Sequence, residues 1–191
     1  RRFRRGVVRA GEAICPSAFV IDNRDGSVVM PAEPDFWASD QLVLYIPDDG
    51  FAEMALLLNA EPFEAAFDEA LDRHQAYHGR AGSTEWAKAR LDSAKWGGDM
   101  FPGDALLDAN PLRAVEPALC KRLNQDKNAL AEVSELLTRV RPETPVCVGV
   151  DHLGMDVRTS VGVMRVEWPR EIEGPESAPK VIEALLTGAL E

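Results

Sequence analysis

From Ser17 onward the alternation of apolar and polar positions is that of short strands. Ala18-Phe19-Val20-Ile21 and Ser27-Val28-Val29-Met30-Pro31 flank the polar stretch Asp22-Asn23-Arg24-Asp25-Gly26. Gly26 can supply the positive φ that a hairpin turn needs, so the two runs predict a β-hairpin. Leu42-Val43-Leu44-Tyr45-Ile46 is a third strand of buried character, stopped by Pro47-Asp48-Asp49-Gly50. The pattern then turns helical. Phe51 to Leu58 reads as a short apolar helix, and Pro62 suits the first turn of another. In that second helix Phe63, Phe67, Ala70, Leu71, His74 and Tyr77 form one stripe at a 3.6-residue period, ended by Gly79 and Gly82. A period of two returns at Trp86. Trp86, Lys88, Arg90, Asp92 and Ala94 lie on one side, while Ala87, Ala89, Leu91, Ser93 and Lys95 lie on the other, and Trp96-Gly97-Gly98 closes the run. The small side predicts a tight interior, and a strand of this length suits a curved, barrel-like sheet. Helix is the rival reading, because Ala, Lys and Arg are good helix formers.

The corner Phe101-Pro102-Gly103-Asp104 and the linker Asp108-Ala109-Asn110-Pro111 predict a domain boundary, dividing the chain into 1–110 and 111–191. Beyond it, one helix is expected over roughly Ala114 to Leu123. A second starts near Asp126, a suitable N-cap, with Ala129, Leu130, Val133, Leu136, Leu137 and Val140 on one face. Val146–Val150, Met155–Arg158 and Val161–Trp168 follow as a three-stranded meander. Val181, Ile182, Leu185, Leu186 and Ala189 form a closing amphipathic helix.

Composition and charge narrow the function classes. The chain has 191 residues, 46% of them apolar and 28% charged, which is the balance of a globular protein. Its formal net charge of −11 argues against a broad phosphate-backbone contact, so nucleic acid is an unlikely partner. The first ten residues run the other way with Arg1, Arg2, Arg4, Arg5 and Arg9, either an arm for an acidic partner or a frayed terminus lying on the protein's own acidic surface. Apolar runs such as Met54 to Leu58 fall far short of the roughly 20 residues of a membrane helix. Cys15, Cys120 and Cys147 stand far apart, without a C-x-x-C pair, and predict free thiols in a reducing, cytoplasmic setting rather than a zinc or disulfide framework.

The second half carries a family resemblance. Leu123-Asn124-Gln125-Asp126 in the helical part, Gly149-Val150-Asp151-His152-Leu153-Gly154-Met155-Asp156-Val157-Arg158 in the meander and Arg165-Val166-Glu167-Trp168-Pro169 after it form the set. Together they resemble the small C-terminal domain of heme-iron-utilisation proteins, a domain similar to that of the plastid glutamyl-tRNA-reductase-binding protein. The resemblance covers about residues 113 to 190. It implies an α+β protein: a split β-barrel of the flavin-binding, pyridoxamine-phosphate-oxidase-like type over 1–110, followed by a helix-helix-three-strand-helix subdomain. It implies FMN or heme as cofactor and a homodimer formed through the N-terminal half. One departure matters. The family's helix reads H-M-N-x-D-H, whereas this chain has Arg122-Leu123-Asn124-Gln125-Asp126-Lys127, so nothing those two histidines do carries over.

Candidate chemistry is confined to the first half. His74 and His78, spaced i, i+4 on the predicted helix, project from one face and could share a metal or offer an imidazole to heme iron. His74 also lies on the apolar stripe, which equally suits a hydrogen-bonded histidine at the core's edge. An anionic cofactor needs local positive charge, and Lys88, Arg90 and Lys95 on the long strand supply it, with His78 projecting toward them past Gly79. A solvated strand face, with Asp92 pairing one of them, is the alternative. There is no G-x-G-x-x-G or Walker loop and no G-x-S-x-G nucleophile. Two functions follow: a split-barrel protein holding flavin or heme, or a cofactor-free member of the same fold acting as a protein-binding or scaffold module.

Overall fold

The computed structural model describes residues 4–39, 41–47, 53–64, 68–82, 85–106 and 108–188. The chain divides into two compact units, Arg1–Ala109 and Asn110–Glu191. The fold is α+β, with a split-barrel-like N-terminal sheet and a second, small sheet with helices. Among the described residues no helix is long and apolar enough to cross a membrane.

The N-terminal unit is built on eight antiparallel strands: β1 (Arg5–Ala10), β2 (Ala13–Ala18), β3 (Val20–Ile21), β4 (Val28–Pro31), β5 (Leu42–Ile46), β6 (Met54–Pro62), β7 (Trp86–Trp96) and β8 (Asp99–Pro102). Their order is β2-β1-β5-β6-β7-β4-β3, with β8 also paired to β7. β2 and β3 stand at opposite ends of that order, yet only Phe19 separates them along the chain. The sheet must therefore curl until its two ends meet at Phe19, and this seam is what makes it barrel-like. Val8, Phe19, Met30, Leu44, Leu58 and Ala89 are among the residues that fill the interior.

Several sequence expectations hold here. β3 and β4 form the expected hairpin with Gly26 at φ 75°, and 42–46 and 86–96 are strands. Others are corrected. The expected apolar helix over Phe51–Leu58 is instead β6, a central strand between β5 and β7; Phe51 and Ala52 lie outside the described residues. A short all-apolar run has no periodicity to separate helix from buried strand, and cross-strand pairing decides it. Pro62 closes β6 rather than opening a helix. The helix, α1 (Glu69–His78), begins after Asp68, whose side chain accepts from the Ala70 N–H at 2.8 Å; Phe67 lies outside the described residues. The arginine-rich start is not a frayed arm from Arg5 on, because Arg5 and Arg9 sit in β1; Arg1 and Arg2 lie outside the described residues. Gly6 is required there, since a Cβ would come within 2.4 Å of the Tyr45 carbonyl oxygen on β5.

The long strand also departs from strict alternation. Leu57 pairs with Ser93 but Leu58 with Leu91, so Asp92 is an extra residue, a β-bulge. Beyond it Ala94 is buried and Lys95 exposed, the reverse of the predicted columns. The face opposite the barrel interior is covered at one end by α1, which is why Val29 and Trp86 are buried as well as Met30 and Ala87.

The C-terminal unit contains α2 (Glu116–Leu123), α3 (Lys127–Thr138), β9 (Val146–Asp151), β10 (Gly154–Thr159), β11 (Gly162–Glu167) and α4 (Ala178–Leu186). The three strands form the expected antiparallel meander in the order β11-β10-β9. Asp126 caps α3 by accepting from the Asn128 and Ala129 N–H groups. The predicted apolar face of α3 is only partly buried: Leu130 and Val133 enter the core with Leu123, Met155 and Ile182, while Leu136 and Val140 remain exposed. Ala189 of the predicted closing helix lies outside the described residues.

Candidate functional site

Asp68 starts α1 at a point that aims one helical face at the barrel seam. Strand pairing there is interrupted between Ala18 and Val20, and the carbonyls of Ala18 and Phe19 are met by imidazoles: His74 Nε2 lies 3.2 Å from the Ala18 oxygen, and His78 Nε2 lies 3.0 Å from the Phe19 oxygen. A carbonyl oxygen only accepts, so each Nε2 carries the proton and Nδ1 is the acceptor. His74 is 2% exposed and its Nδ1 is buried without a hydrogen-bond partner among the described residues. Its ring meets Trp86 edge-on at 4.8 Å and the His78 ring at 4.7 Å. The i, i+4 spacing thus did place both rings on one face, and that face closes the barrel.

Burial is the main cause of a lowered pKa at both histidines. It lowers His74 below its ordinary value against the opposing bond to Ala18. It lowers His78 further, to about 4, with the charges of His74, Arg5 and Arg4 adding to the effect and the Phe19 bond opposing it. For a histidine whose folded value lies below its unfolded one, the stability contribution is complete above about 6.5. It is lost as pH falls from there toward about 4, because the unfolded chain takes up a proton that the folded ring refuses.

Beside the two rings the N-terminal unit has a cleft of about 670 Å³. Pro16, Pro34 and Phe36 contribute apolar walls, while Arg5 and Arg80 bring positive charge and Glu33 and Glu85 negative charge. The volume is that of a pocket for a small molecule or cofactor. Among the described residues no group of three or more His, Cys, Asp or Glu is arranged to hold a metal ion. A metal taken by His74 and His78 together would have to use the Nδ1 atoms or displace the Ala18 and Phe19 carbonyls.

Lys88, Arg90 and Lys95 do not line this cleft. The Lys88 ammonium lies 2.9 Å from Asp22 Oδ2 and 2.9 Å from Asp25 Oδ2. Arg90 and Lys95 are exposed on the outer side of β7. The cations that do reach the cleft, Arg5 and Arg80, come from β1 and from the segment after α1. Only the arginine content near the N-terminus hinted at the first, and no local signal marked the second.

The residues that carry the family resemblance serve structure in the C-terminal unit. Asn124 brackets the edge strand β9, its amide donating to the Cys147 carbonyl and accepting from the Cys147 N–H, both at 2.8 Å. Glu116 accepts from the Val150 N–H and Asn110 donates to the Val150 carbonyl, completing that edge. Asp151 Oδ1 accepts from the Leu153 and Gly154 N–H groups and so forms the β9–β10 turn, and the Trp168 indole N–H donates to the Asp151 carbonyl.

No family model matches the chain, and no curated protein matches it. Among solved structures, the crystal structure of Atu2129 from Agrobacterium tumefaciens str. C58, a protein of unknown function, has a TM-score of 0.73 at 15% identity, covering 96% of this chain and 91% of that one. At that identity the likeness is one of fold. A heme-binding protein from Mycobacterium smegmatis has a TM-score of 0.44 at 19% identity, with 98% and 93% of the two chains covered.

Proposed function

We propose that the N-terminal split barrel binds a planar, anionic cofactor in the cleft beside α1, and that heme is this cofactor. The observation that carries the reading is the composition of the cleft. Pro16, Pro34 and Phe36 give apolar contact for a ring system, Arg5 and Arg80 can meet carboxylates, and His78 presents a neutral imidazole. Flavin mononucleotide shares the planar ring and the anionic group, but only heme has an iron for a neutral imidazole to ligate. Because His78 Nε2 is engaged by Phe19, Nδ1 is the nitrogen left to a ligand. The same reading includes a homodimer through the N-terminal unit, for which exposed Trp96 and Met100 on the β7–β8 hairpin offer apolar surface. Light scattering at micromolar concentration should give twice the chain mass, and a monomer counts against the pairing.

Titration with hemin, followed by the Soret band, tests the cofactor. Saturable one-to-one binding is expected, weakened about tenfold or more in His78→Ala, which corresponds to about 1.4 kcal/mol or more. Arg80→Ala, at an exposed position, leaves folding intact and should weaken binding by a smaller factor. Parallel titration with flavin mononucleotide, read by fluorescence quenching, separates the two ligands. If neither binds saturably, the reading fails and the cofactor-free module takes its place.

A further inference from the structure

In the C-terminal unit, which contributes no residue to the proposed cleft, two cysteines 27 residues apart in sequence meet: Cys147 Sγ lies 3.8 Å from Cys120 Sγ. Both are free thiols. Cys120 sits on α2 and is half-buried, whereas Cys147 on β9 is 3% exposed and its thiol also lies 3.6 Å from the Gly149 carbonyl. The approach is held in place by the backbone around it. The Asn124 N–H donates to the Cys120 carbonyl at 3.0 Å, closing the end of α2, and the Asn124 side chain brackets Cys147 with two hydrogen bonds of 2.8 Å. One residue therefore ties the turn that carries Cys120 to the strand that carries Cys147.

We propose that Cys120 and Cys147 are a peroxide-oxidisable pair, Cys120 being the attacking thiol and Cys147 the resolving one. The less buried Cys120 sulfur, as thiolate, attacks one oxygen of a peroxide. The O–O bond breaks, a sulfenic acid forms on Cys120, and the second oxygen leaves as hydroxide, which is protonated to water. The Cys147 sulfur then attacks the Cys120 sulfur, the S–O bond breaks, and the departing hydroxide takes the Cys147 proton. Two thiols and one hydrogen peroxide become one disulfide and two waters, the thiols losing two electrons. The division of roles follows from burial, since Cys120 is half-buried while Cys147 is 3% exposed. The hydrogen bond to Cys120 and then burial push the Cys147 thiol well up, which disfavours Cys147 as the first attacking thiolate. The sulfurs need to close by less than 2 Å or so to reach bonding distance, a side-chain adjustment that leaves the Asn124 bracket in place. The product would tie α2 to β9 across a loop that contains all of α3.

The test treats the full chain with hydrogen peroxide, then denatures and alkylates it, and reads intact mass and peptides. The expected product is about 2 Da lighter before alkylation, with two of the three thiols lost to alkylation and a peptide pair linking Cys120 to Cys147. Dithiothreitol should reverse it, and the oxidised form should unfold at higher denaturant than the reduced one. Cys15→Ser should behave like wild type. Cys120→Ser should retain an alkylatable Cys147 after the same treatment. Conversion of Cys120 to sulfinic or sulfonic acid with Cys147 still alkylatable overturns the proposal, and so does a disulfide that uses Cys15.

Discussion

Replacing Arg165 with alanine is expected to destabilise the C-terminal unit by about 3–5 kcal/mol, the range for stripping the partner from a buried charge. The Arg165 side chain is 6% exposed and lies between two carboxylates that are buried as deeply. Its guanidinium reaches Asp151 through two nitrogens, at 2.5 and 3.0 Å, and Asp156 at 3.4 Å. Burial lowers the Arg165 pKa, but the hydrogen bonds and charges of Asp151 and Asp156 outweigh it, and the group titrates above its ordinary value. Alanine takes the guanidinium away and leaves two carboxylates facing each other in a medium that solvates them poorly. Asp151 also forms the β9–β10 turn, so the loss propagates into the meander. Denaturant unfolding read by amide exchange in β9, β10 and β11 measures the effect. Adding Asp156→Asn to the Arg165→Ala chain removes one of the two facing carboxylate charges and should recover part of it. A loss under about 1 kcal/mol would mean that the pair is solvated and contributes as little as a surface bridge.

This buried cluster explains what the sequence could and could not tell. The segment Gly149 to Arg158 and the run Arg165 to Pro169 stood out as a pattern, and they pointed to the correct meander. Their side chains are consumed in holding it: Asp151 in a turn and an ion pair, Trp168 on the Asp151 carbonyl, Asn124 on the edge of β9. A motif of this kind reports a fold and is silent about chemistry. In the N-terminal half, strands marked by a D-G turn, by β-branched and aromatic residues stopped at a proline, or by a long period-two run are legible in the sequence, as at 28–31, 42–46 and 86–96. β6 is not, because Met54 to Leu58 is apolar at every position and holds no β-branched or aromatic residue, so its pairing with β5 and β7 decides it. β1 was hidden by its arginines, although its buried positions do alternate. The i, i+4 histidines were found by spacing alone. That they cap the carbonyls of Ala18 and Phe19 depends on the sheet curling until β2 and β3 meet, a long-range event with no local mark. Lys88 looked like a phosphate ligand for the same reason: its partners Asp22 and Asp25 come from a hairpin 66 and 63 positions earlier.

That hairpin is the basis of the second large effect, which falls on the N-terminal unit. Asp22→Ala is expected to cost about 2–3 kcal/mol and to loosen α1, because Asp22 is the centre of a charge network that anchors the helix carrying His74 and His78. The Asp22 side chain is 3% exposed; its Oδ2 lies 2.6 Å from the Arg24 guanidinium and 2.9 Å from the Lys88 ammonium. Arg24 in turn meets Asp68 at 2.9 Å, and Asp68 is the N-cap of α1. The chain of contacts runs from the β3–β4 turn to the first turn of α1 and so to the cleft. Burial alone would raise the Asp22 pKa. The bonds from Arg24 and then Lys88 more than reverse this and hold the carboxyl well below the usual carboxylate range. The folded value is thus below the unfolded one, so Asp22 contributes its full stabilisation above about pH 4 to 5 and loses it as pH falls below that. Asp25, also lowered, acts in the same direction. The histidine loss comes first, between about pH 6.5 and 4, and the carboxylate loss follows below it. Wild type should therefore show two successive declines of N-terminal stability on acidification, whereas Asp22→Ala should show the first and little of the second. Urea midpoints measured from pH 7 down to pH 3 distinguish the two forms, and parallel curves over the whole range would remove Asp22 from its central place.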